Sequence, residues 1–197
     1  MVSGPLAKCT RPTYEDIEAL PPHVVGEIIA GELVVSPRPA PPHANATSRL
    51  GMLLGPPFSF GDGGPGGWWI EFEPELHLGT DPDYEPIVPD LAGWRMERMP
   101  ALPETAWFEM VPDWICEVLS LGTAARDRAE KMPFYARAGV RHTWLVDPLA
   151  ETLEAYSLEG ARWTMIGVWR GAVHVRVEPF QAVELPIGRL WERTRSG

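Results

Sequence analysis

The sequence predicts an α/β (α+β) fold in which mixed strands are joined by one crossover helix. Three observations carry this. Two short apolar runs, Asp113–Leu119 and His142–Val146, read as buried strands, and residues 123–138 between them read as a helix. The order strand, helix, strand makes those two strands parallel and joins them by a right-handed crossover. From Glu151 to Val177, strands alternate around Glu159-Gly160 and Arg170-Gly171, as in an antiparallel meander.

The elements follow in order. Thr13-Tyr-Glu-Asp has the form of a helix start, with Thr13 as N-cap and acids in the first turn, and Pro21-Pro22 stops it. Glu27-Ile-Ile and Glu32-Leu-Val-Val around Ala30-Gly31 form a short hairpin. Residues 41–54 form a helix, since Ala46, Leu50, Leu53 and Leu54 recur at helical spacing. Residues 55–67 hold six Gly and three Pro and read as a loop. Trp68–Leu78 alternates as a strand, and Ile87–Trp94 is a buried one. Pro133 should kink the 123–138 helix or begin a second segment, and Gly139 caps it.

Length and composition bound the rest. The 197 residues are 45% hydrophobic and 22% charged, which suits a single domain over 1-197 and excludes a disordered chain. No run reaches the ~18 apolar residues of a membrane span, and the N-terminus lacks a secretory apolar core. Cys9 and Cys116 form no motif, so a cytoplasmic location is expected. The net charge of −10 argues against a surface that coats DNA non-specifically. The charge is uneven, however. Residues 71–90 carry seven acids and no Lys or Arg, whereas 126–141 carries five bases against two acids, a net +3. An acidic segment beside a basic one suits a metal site facing an anionic substrate, or merely two solvated faces. On the first alternative, 126–141 is the phosphate-facing edge.

Three polar residues interrupt the apolar framework. Asp90 follows Pro89 where a buried strand begins, and Glu117 lies within Trp114-Ile-Cys-Glu-Val-Leu. A carboxylate in such a run is costly unless it is paired or bound to a cation. Lys131 sits on the crossover helix, and Asp127 precedes it by four residues on the same face. Two carboxylates on neighbouring strands plus a lysine suit metal-dependent phosphodiester hydrolysis, in which a Mg²⁺ held by oxygen ligands polarises phosphate and activates water.

Pro89-Asp90, Glu117-Val-Leu-Ser120, Asp127, Lys131, Tyr135, Gly139-Val140 and Trp144-Leu-Val-Asp-Pro148 together resemble the Uma-two family of restriction endonucleases. That family belongs to the PD-(D/E)XK nuclease superfamily. The upstream stretch Gly26-Glu27-Ile-Ile-Ala-Gly31-Glu32-Leu-Val-Val-Ser-Pro37, followed by His43, is similar too, so the likeness covers a core of about 13–190. It implies a restriction-endonuclease-like fold, a central mixed β-sheet flanked by helices. It also implies Asp90 and Glu117 as ligands of Mg (or Mn), and DNA as substrate. One departure stands out: the superfamily's lysine two residues after the second acid is Leu119 here. The resemblance assigns its role to Lys131, apart from Lys8 the chain's only lysine.

Glu27, His43 and Asp127 are supporting candidates. Each has a bland alternative: a strand-edge acid, a helix-surface histidine and an ion-pair partner of Lys131, respectively. Tyr135, Trp107, Trp114 and Trp144 read as core. The expected function is a metal-dependent endonuclease, with a homodimer as the simplest way to cut both strands. Its rivals are a non-catalytic nucleic-acid or protein-interaction module that kept the nuclease fold, and a metal-dependent hydrolase acting on something other than DNA. No nucleotide-phosphate loop, dinucleotide fingerprint or zinc spacing is present.

Overall fold

The structure, a computed structural model, describes residues 11–36 and 38–192. Lys8, Cys9 and Pro37 lie outside the described residues.

The chain opens with a short helix, α1 (Tyr14–Glu18), started by a capping box between Thr13 and Asp16. A hairpin of β1 (Val25–Ile29) and β2 (Glu32–Ser36) follows. Its two turn residues, Ala30 and Gly31, both have positive φ, as a two-residue hairpin of right-handed twist demands. Helix α2 (Pro41–Leu54) then buries Ala46, Leu50 and Leu54.

Six strands form the central sheet. They are β3 (Trp68–Phe72), β4 (Leu91–Arg95), β5 (Trp114–Val118), β6 (His142–Asp147), β7 (Thr152–Glu159) and β8 (Arg162–Arg170), side by side in chain order. Only β5 and β6 pair in parallel, and the crossover helix joins them. That helix runs as α3 (Ala124–Arg126), a π-helical turn (Asp127–Lys131) and α4 (Met132–Ala138). A small pair, β9 (His174–Val175) with β10 (Leu185–Pro186), closes the chain. The sheet is mixed and helix-flanked, as expected.

Strand alternation divides the core into two layers. Trp114, Cys116 and Val118 of β5 join a cluster with Leu50, Leu54 and Phe58. Ile115 instead packs with Phe134 and Tyr135 of the crossover helix. Glu117 shares the face of Ile115, so its carboxylate projects into the crossover-helix layer. A carboxylate there must find partners.

Three expectations are corrected by the structure and a fourth is met. Residues 55–67 are not wholly a loop, because Gly55–Phe60 continues α2 as a π-helical turn. Pro56 and Pro57 remove two backbone donors, but Phe58 is buried against Phe180 at 4.7 Å and holds the turn. The strand at Trp68 ends at Phe72 rather than Leu78, because Glu73 has φ +46° and Pro74 follows. The strand expected from Ile87 starts only at Leu91, which leaves Asp90 just ahead of it. Pro133 does begin a second segment, one of the two outcomes expected: it sits in the first turn of α4, after the π turn has absorbed the irregularity.

Candidate active site

The register of β4 on β5 fixes the centre of the site. Leu91 pairs with Cys116 and Ala92 with Ile115, so one step further Asp90 stands across from Glu117. Asp90 is locked from two sides. Its Oδ2 accepts the Val118 N–H at 2.6 Å, and Oδ1 lies 3.1 Å from Nε2 of His43 on α2.

Glu117 is met from the crossover helix. Tyr135 donates its hydroxyl to Oε1 at 2.5 Å, and the Lys131 ammonium lies 3.1 Å from the same oxygen. Those two residues are four apart, so helical geometry stacks them on one face. Lys131 Nζ also lies 2.9 Å from Glu27 Oε1 and donates to the Val88 carbonyl at 3.0 Å. One hydrogen bond and two ion pairs therefore hold the ammonium. Glu27 Oε1 in turn accepts the Val88 N–H at 2.8 Å, which ties β1 to the segment ahead of β4.

All six residues singled out from the sequence, Glu27, His43, Asp90, Glu117, Asp127 and Lys131, line one cavity of about 780 Å³. Leu119, at the superfamily's usual lysine position, packs instead with Met132 and Leu145.

Electrostatics show how strained this gathering is. Burial pushes the Glu117 carboxyl well above the usual range, with Asp127 and Asp90 adding to the effect; Lys131 and the Tyr135 hydroxyl oppose it. Burial alone would depress Lys131, but Glu117, Glu27 and Asp127 more than offset it, so its pKa is raised and the ammonium stays charged. For His43, burial lowers the pKa, yet the hydrogen bond and charge of Asp90 outweigh it and the net shift is upward. Nδ1 of the same ring is buried and has no hydrogen-bond partner among the described residues.

Asp127 rises from 3.8 to about 6, mainly through burial and despite Lys131 and a Thr123 hydrogen bond. A carboxyl whose folded value is raised favours folding fully below its unfolded value, and that contribution is lost as pH climbs through the folded one. Asp127→Asn should therefore stabilise the protein above pH 6 by about 1–3 kcal/mol and flatten stability between roughly pH 4 and 6. Thermal melts across that range, in chelator, measure this. Parallel wild-type and variant curves would contradict it.

Comparison with known proteins now adds a second line. A family model described as Uma2, putative restriction endonuclease, matches residues 12–188. The chain belongs to the Uma2 family. Among solved structures, a protein from Anabaena variabilis described as a putative nuclease belonging to DUF820 aligns with a TM-score of 0.68 and 21% identity. The alignment covers 91% of this chain and 97% of that one, and at this identity it speaks to fold alone. No curated protein matches the chain.

The Uma2 chain carries site features that its sequence did not announce. Tyr135 read as core, and it is fully buried, yet its hydroxyl serves Glu117. The available signal was its spacing, one helical turn after Lys131. Glu73, noticed only as one of seven acids, lines the same cavity from a left-handed backbone. His43 is not a helix-surface histidine but the partner of Asp90.

The basic segment 126–141 does not form the continuous phosphate-facing edge that its charge suggested. Arg128 is held by both oxygens of Glu154 at 2.9 and 2.7 Å, Arg137 reaches Asp81 at 3.2 Å, and Lys131 is buried. Helical periodicity turns these side chains to different faces.

Among the described residues no three His, Cys, Asp or Glu side chains are grouped as a metal site. Nor is any helix among them long and apolar enough to cross a membrane.

Proposed function

We propose that this Uma2 protein is a metal-dependent endonuclease hydrolysing DNA phosphodiester bonds, with Asp90 and Glu117 as ligands of Mg²⁺ or Mn²⁺. One observation carries the reading: Lys131 reaches from the crossover helix to within 3.1 Å of Glu117, directly across the strands from Asp90. A lysine missing at position 119 is thereby replaced in space.

The donor set fits a hard cation. Glu27, Glu73, Asp90, Glu117 and Asp127 all face one cavity whose floor offers Lys131 as counter-charge. Such an excess of carboxylates is relieved by a divalent ion. Two carboxylates suffice for Mg²⁺, which keeps several waters and takes phosphate oxygens readily. Bound there, the ion would polarise the phosphate and lower the pKa of its water.

The chain's own residues do the rest. The Val118 N–H and His43 fix both oxygens of Asp90. Tyr135 and Lys131 share Oε1 of Glu117, leaving Oε2 as the oxygen available to a ligand. Lys131 supplies positive charge beside the reacting phosphate, and Asp127 contributes an outer acid.

The non-catalytic module is favoured by one fact. With donors engaged by Glu27, Glu117 and Val88, Lys131 must give up a partner before it can touch a phosphate.

A nicking assay on supercoiled DNA with Mg²⁺ or Mn²⁺ separates the two readings. Wild type should nick, and Glu117→Gln should be slower by at least about 10²-fold. Binding without nicking by the wild type would select the module.

A further inference from the structure

We infer that Arg38 and Arg126 are the residues that grip the phosphates flanking the cleaved bond, whereas Arg128 and Arg137 of the same basic stretch take no part. This deepens the nuclease reading and rests on it for the identity of the polyanion.

The floor of the cavity is a problem for any nucleic acid. Five carboxylates face it, and the lysine among them is held by two of the five. A phosphate approaching that floor is repelled unless cations meet it on the way in. Arg38, in the segment between β2 and α2, and Arg126, on α3, line this same cavity. They come from separate elements, so a strand entering the cavity can be held at two points.

The state of each guanidinium decides which are available. Arg128 is committed to a two-point pair with Glu154, itself fixed by the Tyr156 hydroxyl at 2.6 Å. Arg137 is held by Asp81 and lies over the Tyr84 ring at 5.3 Å. Among the described residues Arg126 makes only one ion pair, a long one of 3.8 Å to Glu130, with both side chains about 40% exposed (38% and 41%). At that length the pair is weak and screened by salt, whereas the equally exposed Arg128 and Arg137 make shorter contacts, at 2.7 and 3.2 Å, to partners that do not line the cavity. Arg126 can turn to a phosphate at almost no cost, and arginine's planar fork matches phosphate oxygens two at a time. Arg128 would have to break two charge-assisted bonds first.

The test is binding of a short DNA duplex, and of its separated strand, over a salt series in Ca²⁺. Arg126→Gln and Arg38→Gln should each weaken binding and lower the slope of log K against log salt by about 1. Arg137→Gln removes the same charge from the same helix and should leave the slope at the wild-type value. Equal effects of Arg126→Gln and Arg137→Gln would mean general electrostatics only and overturn the assignment. So would wild-type slopes in both Arg126→Gln and Arg38→Gln. The nicking assay is independent of this readout. A protein that binds through these arginines yet never nicks leaves this inference standing and removes the nuclease reading.

Discussion

Lys131→Met should cost the protein about 3–5 kcal/mol of stability, because it strands two carboxylates that it now holds. Glu117 is 3% exposed and Glu27 is 7% exposed, and both depend on the Nζ between them. Without the ammonium, burial drives the Glu117 proton on, since the largest force opposing that rise is Lys131 itself. For a chain of this size each kcal/mol moves Tm by about 2–4 °C, so a fall of roughly 6–20 °C is expected. Adding Glu117→Gln to Lys131→Met should restore part of the loss, because one of the two stranded carboxylates is then gone while Glu27 remains. Cleavage should not return in the double variant. Its loss, about 10²–10³-fold in Lys131→Met, reflects the missing positive charge beside the phosphate, and the double variant also lacks the carboxylate proposed as a metal ligand. Thermal melts and nicking on the same preparations separate the two effects. A Lys131→Met protein with wild-type Tm would show that the network is not buried as described.

The sequence exposed the chemistry more readily than the paths that bring it together. Asp90, Glu117 and Lys131 were conspicuous because a charge inside an apolar run has to be explained. The β5–helix–β6 crossover was legible because hydrophobic period and length change together at its boundaries. By contrast, the hydroxyl of Tyr135 was marked by nothing but its spacing from Lys131, since one polar atom on a large ring does not disturb an apolar pattern. The π turn at Gly55–Phe60 was hidden for a different reason: its stability comes from Phe58 packing on Phe180, 122 positions later, not from local propensity. The basic segment misled because charge was summed along the chain, while a helix distributes it around an axis. Arg128 and Arg126 are two residues apart and face different surroundings, Glu154 in one case and the cavity in the other.

The central claim is that Asp90 and Glu117 together hold one divalent cation. Asp90 is the sharper probe, because it lies at the cavity edge with 16% of its side chain exposed, so its removal strands little buried charge. Its loss frees His43 Nε2 and the N–H of the buried Val118, a cost of about 1–3 kcal/mol that the fold should survive. A cation left with Glu117 alone loses one of its two carboxylate ligands and the charge opposite it. Calorimetric titration of Mn²⁺ into wild type and Asp90→Ala, each checked by thermal melt, therefore bears on the account most directly. One site is expected in the wild type, with a loss of affinity of at least about 10-fold in the variant. Equal affinity in the two proteins would contradict it.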